Sequence, residues 1–210
     1  SGGPFRTMEM GNFHKITKLE ALNHPNWNMG EKISIDSATM MNKGFELIEA
    51  KWLFDIDVNK IEIVVHPQSI IHSMIEFCDG SIKAQLSEPD MRVPIQFALS
   101  YPERYDLKGM NFNVEKFSNL SFEPVNMKKF KCVKLAYDAI KLGGSYPIVL
   151  NVANDLLVDL FLNNSILFDM IPKYIEQSMD AHNFIQCPSI EEISETTKWT
   201  EEYIKKMVKT

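Results

Sequence analysis

The character of the chain changes near residue 127, and this change restricts the folds that the sequence can adopt. Before it, short apolar segments alternate with proline and glycine, which favours short strands and isolated helices. After it, apolar residues recur at helical spacing, and the short connections between helices favour antiparallel neighbours. The sequence therefore predicts an α/β (α+β) portion with a mixed sheet, followed by a small helical bundle.

Proline and glycine set the predicted domain boundaries. Residues 1–100 are predicted to form the α/β portion and residues 101–126 an irregular linker, because prolines and a glycine interrupt that stretch. Residues 127–210 then form the bundle. The chain opens with Ser-Gly-Gly-Pro, a loop signal that is unusual at the start of a fold. We therefore expect the chain to be the rear part of a longer enzyme.

Charge and apolar content exclude several classes of function. The 210 residues carry a formal net charge of −6, so we expect no nucleic-acid partner bound by bulk charge. No apolar run approaches the roughly 20 residues that cross a bilayer, so we expect no membrane partner. Any site for an anion must therefore be a local cluster of side chains.

The segment that ends near residue 54 contains the most informative pattern. Residues 32–35 are predicted to be a strand and residues 38–54 a long helix. One apolar stripe of that helix comprises Met41, Phe45, Ile48 and Trp52. Ser37 would then stand at the N-terminal end of the helix, where backbone N–H groups favour an anion.

A group of polar side chains off this stripe has the chemistry of a binding site. Its members are His24, Ser37, Asn42, Lys43 and Glu46, with Ser1 as a candidate sixth. Hydroxyls, an amide and a cation near a helix start suit a phosphomonoester dianion. Glu46 offers a carboxylate to a hard cation such as Mg²⁺ or Mn²⁺, although one carboxylate is rarely sufficient. Two interpretations stay open on spacing alone: a binding site, or a solvated helix face.

A loop with apolar side chains precedes this helix. Residues 24–31 contain proline and glycine, which indicate a loop, yet they also contain Trp27 and Met29. One interpretation is a surface loop on which the tryptophan packs. The other is an apolar flap that closes over a ligand and excludes water.

The remaining elements follow from turn and cap signals. Asp79-Gly80, between two alternating segments, predicts a β-hairpin over 69–86 with a two-residue turn. A strand is predicted at 61–65. Helices are predicted at 131–142, from Pro147 to about 162, and at 170–180, and S/T-x-x-E cap signals at Thr17 and Ser189 open two more.

Several runs of the sequence resemble one known family. They are Ser-Gly-Gly-Pro-Phe-Arg at 1–6, His-Pro-Asn-Trp-x-Met-Gly at 24–30, Lys-Ile-Ser-Ile-Asp-Ser-Ala-Thr-Met-Met-Asn-Lys-Gly-x-Glu at 32–46, His-Pro-Gln-Ser at 66–69 and Glu-Pro-Asp-Met-Arg at 88–92. Together they resemble the 1-deoxy-D-xylulose 5-phosphate reductoisomerases over almost the whole chain.

The resemblance implies an enzyme of non-mevalonate isoprenoid synthesis. Such an enzyme rearranges 1-deoxy-D-xylulose 5-phosphate and reduces the intermediate with NADPH, giving 2-C-methyl-D-erythritol 4-phosphate. It also implies a divalent metal: Mn²⁺, Mg²⁺ or Co²⁺. The partners implied are the phosphorylated sugar and, through the 69–86 hairpin, a second copy in a homodimer.

The resemblance also assigns roles to individual residues. The implied substrate contacts are Ser1, His24, Ser37, Asn42, Lys43 and Glu46. Lys43 and Glu46 are the implied catalytic residues, and Glu46 is also a metal ligand. Gly30 and Met91 are implied neighbours of NADPH, and Trp27 and Met29 belong to the closing flap.

The same resemblance implies parts that precede Ser1, namely an NADPH-binding domain and two further metal ligands. The 210 residues alone are therefore expected to have an incomplete metal site and to be inactive. The compartment implied is a bacterial cytoplasm or a plastid-type organelle, and the abundance of Lys, Asn and Ile favours an AT-rich source with an apicoplast.

Two other functions stay open on the residues alone. One is a metal-dependent sugar-phosphate isomerase or aldolase that uses no nicotinamide. The other is a non-enzymatic module that binds a phosphosugar.

Overall fold

The computed structural model describes residues 3–25, 27, 29–109 and 113–209, with only the backbone at Lys116. The chain divides into two compact units. Of the described residues, the hairpin unit contains 27, 64–109 and 113–124, and the helical unit contains 3–25, 29–63 and 125–209.

Helices predominate among the elements of the described chain. In order, these elements are α1 (Lys18–Leu22), α2 (Glu31–Thr39), α3 (Met41–Phe54), β1 (Val64–Val65), β2 (Ile71–Glu76), β3 (Ile82–Leu86), α4 (Arg92–Ser100), α5 (Val114–Phe117), β4 (Glu123–Pro124), α6 (Lys131–Leu142), α7 (Tyr146–Leu162), α8 (Met170–Ala181) and α9 (Ile190–Val208). Short 3₁₀ turns are formed by Met10–Lys15 and Val58–Lys60. The predicted combination of α and β elements with a rear helical bundle is confirmed. In place of one mixed sheet, the described strands form two antiparallel pairs, β1 with β4 and β2 with β3.

The strand predicted at residues 32–35 is wrong, because these residues lie in α2. In a strand Ile33 and Ile35 would share a face, whereas a helix turns them apart. Ile35 is fully buried and Ile33 is 42% exposed, as the helix requires. Ser34 supports the first turn, because its Oγ donates to the Gly30 carbonyl at 2.9 Å. The two β-branched residues misled the sequence analysis.

The prediction that Ser37 opens a helix is also wrong, since Ser37 lies in the last turn of α2. Met40 ends this helix in the left-handed conformation, with φ 61°, and α3 begins at Met41. A non-glycine residue in that region is uncommon and is held there by its surroundings. The single helix predicted over 38–54 is thus two helices that meet at a sharp turn. We call residues 37–43 the α2–α3 junction.

The buried face of α3 differs from the predicted apolar stripe. Its fully buried positions are Met41, Gly44 and Leu47. Trp52, which ends the predicted stripe, is 69% exposed. Gly44 explains why the buried face of α3 is rotated from the predicted stripe, because the absence of a side chain there allows α3 to lie close to Ala136 of α6. Periodicity alone counts glycine as neutral, and so it missed the close approach of α3 to α6 at Gly44.

Both predicted capping boxes are confirmed, at Thr17 and at Ser189. At the first, the Thr17 N–H donates to Glu20 Oε2 at 2.8 Å and the Glu20 N–H donates to Thr17 Oγ1 at 3.3 Å. These reciprocal bonds satisfy donors that a helix start leaves unpaired. The helices predicted from about residue 131 onward are confirmed as α6, α7, α8 and α9.

The hairpin unit contains the predicted β-hairpin, formed by β2 and β3. Its turn is longer than predicted, because the Phe77 N–H donates to the Ser81 carbonyl and leaves three residues between them. Gly80 adopts φ 81° and Asp79 accepts from the Ser81 N–H, so a single left-handed residue closes the turn.

The stretch predicted to be a linker contains regular structure. It contributes α5 and β4, and β4 pairs with β1 through Val64 and Pro124. The helix α4 was not predicted, because Pro94 was interpreted as a break in the chain. The structure places Pro94 within the first turn of α4, where proline is tolerated. The division at residues 100 and 126 stays a prediction.

The core of the helical unit combines aliphatic and aromatic side chains. Phe168 is 2% exposed, and its ring contacts those of Phe5, Phe13 and Phe161 at centroid distances of 5.3, 5.9 and 5.5 Å. Edge-on contacts of this kind stabilise beyond simple burial. They fix the segment around Phe5 onto the bundle. Among the described residues, no helix has both the length and the apolar character needed to cross a bilayer.

The thiol of Cys132 is expected to be inert in the folded protein. Cys132 lies in α6 at 1% exposure, and burial raises its pKa to about 12. Cys78 and Cys187 are exposed. Because the thiolate is the reactive form, iodoacetamide should label Cys132 at least about 100-fold more slowly than either of the others.

Peptide mapping by mass spectrometry after timed labelling measures these rates. Addition of urea should bring the labelling of Cys132 to the rate of the other two. Equal labelling of Cys132 and Cys187 in the native protein would contradict the packing of α6.

Candidate functional site

Three polar side chains on the first turns of α3 form one hydrogen-bonded cluster. Asn42 Nδ2 donates to Glu46 Oε1 at 2.7 Å. Lys43 Nζ lies 2.7 Å from Glu46 Oε1 and 2.6 Å from Oε2. The spacing of three and four residues places all three on one side of the helix. The sequence predicted this grouping, and the structure brings these residues together.

The ion pair within this cluster is easily opened. The side chains of Lys43 and Glu46 are 31% and 47% exposed. A pair of this kind contributes only about 0.3–0.5 kcal/mol in water. An anion that approaches Lys43, or a cation that approaches Glu46, can therefore replace the partner at little free-energy cost. The cluster thus presents one positive and one negative group that ligands can separate.

Ser37 lies half-buried at the start of the α2–α3 junction. Its carbonyl accepts from the Met40 N–H at 3.2 Å and so takes part in the turn. Gly3 packs directly on it: a Cβ on Gly3 would come within 2.5 Å of the Ser37 carbonyl oxygen. Gly3 also has φ 58°, a second reason for glycine there. Ser1, predicted to contact substrate, lies outside the described residues.

His24 follows α1 in the helical unit and is half-buried. Burial lowers its pKa, because removal from water disfavours the charged imidazolium. The structure therefore favours a neutral imidazole near neutral pH, able to donate and to accept one hydrogen bond. This state suits contact with a hydroxyl better than with a phosphate.

Gly30 stands immediately before α2, in ordinary extended backbone with φ −61°. Neither conformation nor packing requires glycine here, because a Cβ at this position would meet nothing within 4 Å. Open space above a backbone suits the close approach of a flat ligand ring. Gly30 therefore leaves room for the predicted backbone contact with NADPH, which stays a prediction, and Met29 beside it is half-buried.

Two predicted site residues belong to the hairpin unit. The Trp27 ring lies edge-on to His72, with centroids 6.4 Å apart. Met91 precedes α4 and is 56% exposed. Trp27 and Met91 are both large apolar side chains that are at least partly exposed. Their predicted roles, in the flap and beside the cofactor, stay predictions.

Glu46 is not part of a complete metal site in the described part of the chain. Within the described ranges, no group of three or more His, Cys, Asp and Glu side chains is placed to hold a metal ion. The Glu46 carboxylate is nonetheless a hard oxygen donor, partly exposed and of the type that Mg²⁺ and Mn²⁺ prefer. It therefore fits as one ligand of such an ion.

A polar network beneath the α2–α3 junction escaped the sequence analysis. Lys32 Nζ lies 2.9 Å from both Asp36 Oδ2 and Asp155 Oδ1. Asn154 donates to the other oxygen of Asp36. The spacing of Lys32 and Asp36 is a helical i,i+4 signal, but assignment of this stretch to a strand concealed it. The pairing with α7 joins residues more than a hundred positions apart and has no local signal.

Replacing Gly44 with alanine is expected to destabilise the helical unit. The new Cβ would lie 2.6 Å from the Cβ of Ala136, so α3 or α6 must move. Overpacking of this kind costs about 1–3 kcal/mol, more than the roughly 1 kcal/mol that alanine gains in helix propensity. Urea unfolding should show a lower free energy of unfolding for Gly44→Ala.

Two further variants identify the cause. Gly11→Ala, where a Cβ meets nothing within 4 Å, should leave stability nearly unchanged. Gly44→Ala combined with Ala136→Gly should be more stable than the sum of the single changes predicts. Additive losses would show that the two positions do not collide.

Comparisons with known families cover most of the chain. Residues 86–203 match the model described as DXP reductoisomerase C-terminal domain. Residues 1–54 match the model of the 1-deoxy-D-xylulose 5-phosphate reductoisomerase C-terminal domain. The second match includes the whole α2–α3 junction and Glu46.

Curated relatives with high sequence identity carry the same family name as these models. The 1-deoxy-D-xylulose 5-phosphate reductoisomerase of Chloroherpeton thalassium is 53% identical over 204 residues, which cover 97% of this chain and 53% of the relative. The enzyme of the same name from Thermoanaerobacter pseudethanolicus is 54% identical over 207 residues, covering 98% of this chain and 54% of the relative. The chain thus spans about half the length of the curated relatives it matches.

Solved structures share the fold. The reductoisomerase of Zymomonas mobilis in complex with NADPH matches with a TM-score of 0.90 and 41% identity, over 100% of this chain and 54% of that one. A DOX-P reductoisomerase in complex with NADPH, fosmidomycin and magnesium matches with a TM-score of 0.91 and 40% identity, over 99% of this chain and 53% of that one.

Proposed function

This chain belongs to the 1-deoxy-D-xylulose 5-phosphate reductoisomerase family, and from this premise we propose that the intact protein converts 1-deoxy-D-xylulose 5-phosphate to 2-C-methyl-D-erythritol 4-phosphate with NADPH and a divalent metal. The observation that carries the proposal is the cluster of Asn42, Lys43 and Glu46 beside the α2–α3 junction. It offers a cation for an ester and a carboxylate for a metal on adjacent turns of one helix.

The phosphate of the substrate is proposed to bind at the α2–α3 junction. Lys43 supplies a positive charge, and Ser37 and Asn42 supply a hydroxyl and an amide that can donate to phosphate oxygens. The phosphate takes no part in the bond changes. Its binding energy therefore serves to hold the reacting carbons in place. Ser1 and His24 are proposed to contact the substrate as well.

Glu46 is proposed to ligate the metal when the ester draws Lys43 away from it. A divalent ion bound there would act as a Lewis acid on the ketone and a neighbouring hydroxyl of the substrate. The carboxylate holds that ion on the side of α3 that faces the phosphate site. In the free protein Lys43 and Glu46 pair with each other, and because both side chains are partly exposed, the pair opens at little cost when the ligands arrive.

The cofactor is proposed to approach the open space above Gly30. A larger residue at this position would occupy that space. Met91 is proposed to offer an apolar surface to the nicotinamide, and Trp27 and Met29 to exclude water as part of a flap. The DOX-P reductoisomerase crystallised in complex with NADPH, fosmidomycin and magnesium is 40% identical to this chain, which supports the proposal that the intact protein binds NADPH and a divalent metal.

Turnover by the intact protein tests the proposal. Incubation with 1-deoxy-D-xylulose 5-phosphate, NADPH and Mg²⁺ should consume NADPH and yield 2-C-methyl-D-erythritol 4-phosphate, identified by mass spectrometry. Omission of the metal should abolish both. Rearrangement without NADPH consumption would favour a metal-dependent isomerase or aldolase. Binding of the ester without any conversion would favour a phosphosugar-binding module.

A homodimer is the proposed assembly, with the β2–β3 hairpin at the interface. Ile75 and Ile82 of this hairpin are 61% and 64% exposed, and such apolar surface supports pairing with a second copy. Sedimentation of the intact protein at the mass of a monomer would contradict it.

The compartment proposed is a bacterial cytoplasm or a plastid-type organelle. Bacterial relatives support the first, and the bias toward Lys, Asn and Ile supports an AT-rich source such as one with an apicoplast.

A further inference from the structure

A buried amide–carboxylate contact joins α7 to the last turn of α2. Asn154 Nδ2 donates to Asp36 Oδ1 at 2.7 Å, and the two residues are 0% and 2% exposed. The other amide atom, Asn154 Oδ1, is buried and finds no hydrogen-bond donor in the described part of the chain. Within the described residues, the Asn154 side chain is therefore held by its hydrogen bond to Asp36.

A carboxylate at this depth is a poor source of stability. Burial raises the pKa of Asp36, and hydrogen bonds from Asn154 and Lys32 act against this rise. An apolar pair of the same volume would hold two helices together as well or better. What the polar pair adds is direction, because a hydrogen bond fixes the rotation and register of α2 against α7 in a way that apolar contact does not.

Asp36 is connected to the α2–α3 junction through a short series of contacts. It directly precedes Ser37, and its own carbonyl accepts from Thr39 Oγ1 at 3.3 Å. Thr39 Oγ1 in turn accepts from the Met41 N–H at 3.2 Å, across the left-handed Met40. A movement of Asp36 therefore displaces both the last turn of α2 and the first turn of α3.

We propose that Asn154 and Asp36 are positioning residues, which hold the α2–α3 junction in the geometry that binds the phosphate of the sugar ester without touching the ester. The inference rests on the proposed function, because it takes Ser37 and Lys43 as the groups that meet the phosphate. It adds to that function a second helix, α7, on which the affinity of the site depends.

The variant Asn154→Asp tests this role through pH. It places a second carboxylate within hydrogen-bond distance of Asp36, and two carboxylates so close share one proton as pH falls. The charged groups that face the pair are Lys32 and Asp155, with the thiol of Cys132 on α6 nearby. Among these groups, the new carboxylate pair is therefore the one expected to titrate between about pH 8.5 and about pH 6.

The readout is the dissociation constant of 1-deoxy-D-xylulose 5-phosphate, measured by calorimetry on the intact protein in the presence of Mg²⁺. At about pH 8.5 the variant should bind at least about 20-fold more weakly than the wild type, and at about pH 6 within about threefold of it. Expressing each value relative to wild type at the same pH removes the ionisation of the ester itself. Asn151→Asp, an exposed position on the same helix, should stay within about twofold of wild type at both pH values.

An exchange variant keeps the test decisive if Asn154→Asp unfolds at high pH. Asn154→Asp combined with Asp36→Asn reverses the hydrogen bond and preserves the net charge, so binding at about pH 8.5 should return to within about fivefold of wild type. A folded exchange variant that fails to bind, or Asn154→Asp that binds like wild type despite lower stability, would overturn the positioning role. Failure of the wild type to bind the ester would instead count against the proposed function.

Discussion

Replacing Lys43 with alanine is expected to lower kcat/KM of the intact protein for 1-deoxy-D-xylulose 5-phosphate by about 30- to 1000-fold. The estimate corresponds to about 2–4 kcal/mol, in the range expected when one partner of a hydrogen-bonded charge pair is truncated, here the ammonium that holds the phosphate and so positions the reacting carbons. Steady-state kinetics with NADPH and Mg²⁺ in excess measures it. Lys51→Ala, two turns further along α3, is the matched control and should change kcat/KM by less than about threefold.

For metal binding, the effect expected of Lys43→Ala has the opposite sign: the affinity for Mn²⁺ should not fall. In the free protein the Lys43 ammonium lies 2.6 Å from Glu46 Oε2 and competes with any cation for that carboxylate. Mn²⁺ affinity of Lys43→Ala, measured without substrate, should therefore be equal to or higher than that of wild type. A parallel loss of metal and ester binding would indicate damage to the fold instead of the loss of one charge.

Replacing Glu46 with glutamine is expected to weaken Mn²⁺ binding by at least about 100-fold. Loss of a hydrogen-bond partner of a metal ligand already costs about 10- to 100-fold in affinity, and loss of a carboxylate ligand itself should exceed that. Electron paramagnetic resonance of free Mn²⁺ measures the affinity. Turnover at a fixed, subsaturating metal concentration should fall in parallel and recover in part at high Mn²⁺.

Glu49→Gln is the control for this change, since Glu49 is exposed on the same helix and lies outside the cluster. Its Mn²⁺ affinity should stay within about twofold of wild type. If Glu46→Gln bound Mn²⁺ as tightly as the wild type, Glu46 would not be a metal ligand.

Local signals predicted those parts of the fold that depend on a few neighbouring residues. The capping boxes at Thr17 and Ser189 and the glycine turn of the β2–β3 hairpin arise from hydrogen bonds within three or four residues. The cluster of Asn42, Lys43 and Glu46 was predictable for the same reason, because helical spacing alone places these side chains together.

The junction that positions the cluster could not be predicted in this way. Residues 32–35 have β-branched side chains in alternation, and the local preference for a strand is overruled by burial of Ile35 and by the contact of Asp36 with α7. The left-handed Met40 is held by tertiary packing and has no sequence signal. The wrong placement of Ser37 followed from the same error: it was predicted at the start of a helix, whereas it lies in the last turn of α2.

A crystal structure of the intact protein with Mn²⁺ and 1-deoxy-D-xylulose 5-phosphate tests the central claim most directly. The account predicts a phosphate oxygen within about 3 Å of Lys43 Nζ and a second near the Ser37 hydroxyl. It also predicts a manganese anomalous peak about 2 Å from a Glu46 carboxylate oxygen. An ester and an ion bound elsewhere, with the Lys43–Glu46 pair still closed, would contradict it.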